Sequence, residues 1–389
     1  KLRITNSLKM KKSLCALVAC LFLTTCGYSQ TKKPETETKK ELPAGWWRIP
    51  KSPVIFTFGG YVKADVIHDF NAIGSPDFFD VSTIPTDGTL GESTHFNVKE
   101  TRLKLDVRHT EKGLRAYIET DFYGSGGSLR IRHAYVEYKR LLVGQFWSNF
   151  MDESIIPSTL DFEKPAAYAF ARHGMVRYKQ AINENVYFAV AIEESKAVGQ
   201  APADPGKFEN PYPDLTGRFR VTKKWGHIQV SGFLAAIRYR FDAGSMQDVT
   251  LYGGNLSGQF NIRKKDKIIY QAVYGPGLGR YRGGMSVGLD KNGNLEAITD
   301  LGLTAGIQHY WSDKFSTLVV YNYGVVDNTA GQLATSIEST SYFAANLLYH
   351  VMKGTFIGVE YLGGDRKDIS GSMGNANRIQ FSMRYSFNM

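Results

Sequence analysis

Cysteine, long apolar runs and clustered metal ligands are all scarce in this chain, and each scarcity excludes something. The three cysteines, Cys15, Cys20 and Cys26, lie within residues 1–30. If that segment is removed on export, no disulfide or thiolate metal site is available downstream. The eight histidines are scattered without ligand spacing, so no metal is expected. Beyond the N-terminus no apolar stretch approaches the ~20 residues that a membrane helix needs. No cofactor motif stands out either.

What the N-terminus does have is an export pattern. Met10-Lys11-Lys12 opens a basic region, and Leu14–Leu23 is an apolar segment too short to span a bilayer. Tyr28-Ser29-Gln30 reads as a cleavage site, with residues 1–9 upstream of the true start. A lipoprotein reading through Cys26 is disfavoured by Thr25, since a small residue normally precedes a lipidated cysteine. Removing the five basic residues of the signal takes the net charge from +10 to roughly +5. That modest excess is no nucleic-acid footprint. Residues 31–52 are read as a periplasmic spacer that is polar at first and carries Trp46-Trp47-Arg48. Paired tryptophans suit a membrane interface or a periplasmic barrel mouth. Residues 53–389 form the folded body.

The last stretch of that body sets a template. In Asn377–Met389 (NRIQFSMRYSFNM), Ile379, Phe381, Met383, Tyr385 and Phe387 share one parity, while Arg378, Gln380, Ser382, Arg384 and Ser386 share the other. Strict period two means a strand with one apolar and one polar face. The same alternation sets Leu103, Leu105 and Val107 against Arg102, Lys104, Asp106 and Arg108. It also sets Leu215 and Phe219 against Arg218 and Arg220. About sixteen such runs can be counted from residue 54 to residue 387. Every second connection is short, among them residues 110–112, 139–140, 182–183 and 312–313. Most of the others are long: 71–92, 149–167, 195–213, 276–294, 327–338 and 365–374. This rhythm predicts an all-β, transmembrane, antiparallel up-and-down barrel with short periplasmic turns and long outer loops. A water-soluble sandwich shares the parity but explains neither the aromatic girdles nor the loop rhythm. Parity breaks near Arg132-His133 and His173-Gly174 predict bulges at both places.

Basic residues recur on the inferred inward faces: Arg102, Lys104, Arg108, Arg115, Arg130, Arg132, Arg172, Arg177, Arg218 and Arg220, with Arg378 and Arg384 near the end. Asn149–Tyr168, the third long-loop position, carries Asp152, Glu153, Asp161 and Glu163. An acidic loop folded inward against a basic wall makes a charged constriction, and a mainly basic lumen favours anions. The plainer reading is local pairing, Arg115 with Glu119 or Arg102 with Asp106.

Several blocks resemble the DcaP-like trimeric outer-membrane porins. They are Gly59–Asp65 (GGYVKAD), Phe79–Pro85 (FDVSTIP), Asp121–Gly124 (DFYG), Leu129–Tyr135 (LRIRHAY), Gly144–Ser148 (GQFWS), Phe150–Asp152 and Leu160–Glu163, with Arg177-Tyr178 following. The resemblance is dense from about Trp46 to Tyr178. It implies a homotrimeric porin in the outer membrane of a Gram-negative bacterium, surrounded by lipid and passing small anionic solutes, dicarboxylates among them. It would place Arg130, Arg132, Arg172 and Arg177 at the eyelet. Phosphate- or sugar-preferring porins are the near alternatives, and an outer-membrane hydrolase or an adhesin barrel the distant ones. Gly284–Gly288 (GMSVG) matches a nucleophile-elbow pattern, but lies in a glycine-rich predicted loop with no helix to follow, so no enzyme is expected.

Overall fold

A computed structural model describes residues 42–387 except Ser195 and Ala197; the export signal, Cys26 and most of the polar spacer lie outside the described residues. No described helix is long and apolar enough to cross a membrane. The chain instead builds sixteen strands that close on themselves. β1 is Val54–Asp69, β2 comes in two pieces (Ser93–Asn97 and Arg102–His109), β3 is Leu114–Asp121, β4 Arg130–Tyr138 and β5 Leu141–Trp147. β6 is Arg172–Ala181, β7 Val186–Glu193, and β8 again has two pieces (Gly206–Glu209 and Asp214–Lys223). β9 is Gly226–Phe241, β10 Met246–Asn261, β11 Lys267–Pro276 and β12 Thr299–Tyr310. β13 is Phe315–Asp327, β14 Ile337–Met352, β15 Thr355–Asp368 and β16 Met373–Phe387.

Each strand pairs antiparallel with its sequence neighbour, and β16 pairs back onto β1 in the register Gly60↔Phe387 to Asp69↔Arg378. Closure leaves no free edge, as a bilayer requires of any sheet that spans it. The alternation settles which way each residue faces. Ile379, Phe381, Met383 and Tyr385 are exposed on the outer surface, whereas Arg378, Gln380 and Ser382 are buried inside. Trp47-Arg48, assigned above to the spacer, pairs with Ile55-Phe56 at the start of β1.

The bulge expected near Arg132-His133 is present. The register between β3 and β4 slips after Glu119↔His133, so that Thr120 faces Ile131. The extra residue turns Arg132 and His133 both inward, at 1% and 4% exposure, and so keeps Arg130 and Tyr135 on the same wall. The second bulge is absent: His173 and Gly174 pair in unbroken register with Phe146 and Gln145.

The interior is less uniformly polar than alternation implies. Inward Phe233, Ile237, Leu251 and Val273 on β9–β11 pack against Phe150, Leu278, Tyr281 and Val287 from the long connections. Inward Leu318, Val320, Tyr342, Ala344 and Leu362 on β13–β15 pack against Phe79, Val81 and Ile84. Loop segments therefore cover the apolar inner surface of one half of the barrel. Two inward glycines leave room for them: a Cβ on Gly302 would overlap the Ala167 carbonyl, and one on Gly364 the Val81 side chain.

Candidate functional site: the arginine face and the third long loop

Below, L3 denotes the connection between β5 and β6, residues 148–171. Its path is fixed by inward side chains from distant strands. Ser231 and Asn255 donate to the Phe150 carbonyl, at 2.5 and 2.9 Å. Glu360 on β15 accepts from the Leu160 and Asp161 amides, each at 2.9 Å, and from Asn346. Lys63 and Gln380 donate to the Leu160 carbonyl. Asn322 accepts from the Ala167 amide and Gln271 from the Ala169 amide. Burying loop backbone requires such partners, because an unsatisfied amide or carbonyl costs a kilocalorie or more.

Three of the four acids of L3, Asp152, Glu153 and Asp161, are engaged in ion pairs. Arg220 donates to Asp152 at 3.2 Å, and His227 Nε2 lies 2.7 Å from its other oxygen. Burial pushes the Asp152 carboxyl up, but the His227 hydrogen bond and the Arg220 charge outweigh it and hold it at about 2. Glu153 pairs with Arg218 at 2.9 Å. Asp161 pairs with Arg378, which also holds Asp69. Burial raises the Asp161 carboxyl despite the Arg378 charge, and Glu163 is pushed up to about 7 by burial and by the neighbouring Asp161 and Asp80 charges.

The bases sort into two groups. Arg130 and Arg132 bind Asp121, and Arg132 also binds Glu119. Arg102 lies 3.7 Å from Glu119. Arg102, Arg130 and Arg132 surround the Phe162 ring of L3 at 6.0, 5.6 and 5.4 Å, within cation–π range. Arg108 and Arg115 share Asp106, and Arg115 reaches Glu137. The local pairs expected from sequence, Arg115 with Glu119 and Arg102 with Asp106, do not form. Residues four apart on a strand are separated by ~13 Å, so neighbours on the same or adjacent strands win.

The second group has no carboxylate partner among the described residues. Arg172 lies over Trp147 at 5.3 Å and Arg177 over Phe146 at 5.2 Å, and each leaves a guanidinium nitrogen without a hydrogen bond. Arg384 stacks on Tyr61 and Phe356 in the same manner. Lys104 is half-buried on the inward parity of β2. Sequence reading missed the buried acids Glu193 and Glu360. Glu360 lies on the inward parity of β15, but nothing local indicates that it would hold a loop 200 residues away. Ser286 of the GMSVG segment is fully buried; it accepts from the Arg280 amide and donates to the Gly277 carbonyl. A β-hairpin (Val287–Leu289 with Leu295–Ala297) follows it, not the helix an elbow requires.

Solved structures of similar shape are outer-membrane barrels. The outer membrane channel DcaP of Acinetobacter baumannii superimposes with a TM-score of 0.80 at 24% identity, covering 88% of this chain and 99% of that one. An anion-selective porin from Comamonas acidovorans gives 0.60 at 9% identity, over 86% and 100%. The trimer form of OmpT from Vibrio cholerae gives 0.54 at 13% identity, over 86% and 99%. At such identities the likeness is one of fold. No curated protein matches the chain. A family model, however, matches across residues 47–387, nearly the whole described barrel, and by that match the chain belongs to the DcaP outer membrane protein family and is a channel of the Gram-negative outer membrane.

Proposed function

We propose that this channel passes small anionic solutes of the dicarboxylate type by passive diffusion, with L3 as its constriction. The observation that carries the reading is the imbalance in pairing. Asp152, Glu153 and Asp161 are neutralised by Arg220, Arg218 and Arg378, while Arg172 and Arg177 keep unspent positive charge on the inner wall. A narrow pore that replaces part of an ion's hydration with fixed charge favours the opposite sign. Arg102, Arg130 and Arg132, braced by Glu119 and Asp121, hold Phe162 in place beside that wall. Arg108, Arg115, Arg218 and Arg220 act chiefly as structural partners of acids. Reversal potentials in a salt gradient test the idea. Arg172→Gln with Arg177→Gln should cut the anion-over-cation permeability ratio several-fold. Neutralising Asp152 and Glu153, which frees Arg218 and Arg220, should raise it. Unchanged potentials in both variants would overturn the anion reading.

The same proposal includes a homotrimer. β3, β4, β5 and β7 are only 7–9 residues long, while β9, β10 and β14 each have 16. A lipid-facing strand needs ~9–11 residues, so the low wall is poorly matched to a bilayer. Aliphatic Ile118, Val136 and Val143 are exposed there, a surface suited to other copies of the chain.

A further inference from the structure

On the side of L3 away from the arginines lies a cavity of about 600 Å³. It is bounded by L3, by the β1–β2 connection, by the glycine-rich β11–β12 connection and by the outer ends of β12–β15. Its walls combine apolar groups such as Tyr168, Phe170 and Ile298 with three acids (Asp80, Glu163 and Asp300) and three bases (Lys164, Arg282 and Arg366). Formal charge is thus balanced, and unused hydrogen-bonding capacity decides the chemistry.

The bases are occupied. Arg282 donates to Asp300 Oδ1 and to the Ala166 carbonyl, at 3.1 and 3.4 Å. Arg366 donates to Asp368, to the Ser82 carbonyl and to the Thr335 carbonyl. Lys164 donates to Thr159 and to the Pro157 carbonyl. The acceptors are not. Asp300 is 5% exposed, and its Oδ2 makes no hydrogen bond among the described residues. Asn328 spends its amide protons on the Val326 and Ile337 carbonyls, which leaves Oδ1 open. Glu163 adds a third acceptor group to the wall. An anion would meet three carboxylates on this wall and bases that already have acceptor partners, whereas a protonated amine carrying an apolar body would satisfy the open acceptors and fill the space.

We infer that this cavity is a binding site for an organic ammonium group, separate from the arginine face. Asp300 sits on β12 and Arg130 on β4, eight strands apart in a sixteen-stranded ring and therefore on opposite walls. A solute with both charges would meet a matching wall at each end.

Calorimetry on the detergent-solubilised full chain tests this without any current measurement, so its outcome is independent of ion selectivity. The probe is 2-phenylethylammonium, and the control is 3-phenylpropanoate, of similar shape and opposite charge. Saturable binding of the ammonium, one per protomer, is expected, with none of the carboxylate. Asp300→Asn keeps the side chain's shape and should weaken binding roughly tenfold, the worth of one charge-assisted hydrogen bond. Leu333→Trp should abolish it by filling the cavity; Leu333 is a loop residue 67% exposed, so this variant carries the test if Asp300→Asn fails to fold. Equal affinity for the two probes, no saturable heat, or wild-type affinity in Leu333→Trp would each overturn the site.

Discussion

Glu163 is the residue at which this pore should respond to pH. It sits in a loop outside the strands, and burial together with Asp161 and Asp80 lifts its carboxyl to about 7. A raised acid pKa means that the folded protein takes up a proton more readily than the unfolded chain. The charged form is disfavoured, and the cost of holding it grows as pH rises from the ordinary glutamate range through 7. In transport terms the sign is simple. Above pH 7 Glu163 adds a negative charge near the constriction, and below pH 7 it does not. Anion preference should therefore increase as pH falls from 8 to 6, and Glu163→Gln should flatten that dependence. Reversal potentials recorded across the range decide it; a wild-type slope retained in the variant would assign the titration elsewhere. Asp152 offers no such response there, since His227 and Arg220 keep it ionised down to about 2.

Among the elements, the tip of L3 and the bulge in β4 carry the most consequence. Glu360 accepts two successive loop amides while Lys63 and Gln380 hold the intervening carbonyl, so the tip is gripped from both sides of its backbone. Glu360→Ala removes half of that grip and leaves two buried amides unpaired, a cost of roughly 1–3 kcal/mol for each. Single-channel recordings should then show a noisier and larger conductance, whereas a quiet wild-type current would mean that the tip is held by other contacts. The bulge was legible in the sequence, because no regular strand can face Arg130, Arg132, Tyr135 and Glu137 the same way. The absence of one at His173-Gly174 was not, since a histidine and a glycine tolerate either face. Deleting His133 would remove the extra residue and leave Arg130, Arg132, Tyr135 and Glu137 on one face of a regular strand. The deletion variant should therefore keep the heat-modifiable gel shift of a folded barrel; loss of that shift would show that the bulge itself is needed for closure.

For the whole molecule, legibility follows from where each constraint acts. Lipid imposes alternation on every strand separately, so strand count, facing and the loop rhythm could be read residue by residue. What holds the loops acts over distance. The Arg378–Asp69 pair spans 309 residues and the Lys63–Leu160 bond 97. Neither leaves a local pattern, and the apolar clusters beneath the loops were hidden for the same reason. The break in β2 at residues 98–101 and the extra strand piece Gly206–Glu209 were likewise invisible, being set by a neighbour's register. Assembly lies between these cases, because strand length is local but its meaning depends on the surroundings. If the low wall of β3–β5 is covered by other copies, Val136→Arg would bury an unpaired charge between protomers and split the trimer. Leu256→Arg, on the tall wall of β10, would face detergent or lipid and leave the oligomer intact. Light scattering of the purified variants should therefore give a monomer mass for the first and a trimer mass for the second. A trimeric Val136→Arg would move the contact to another part of the barrel.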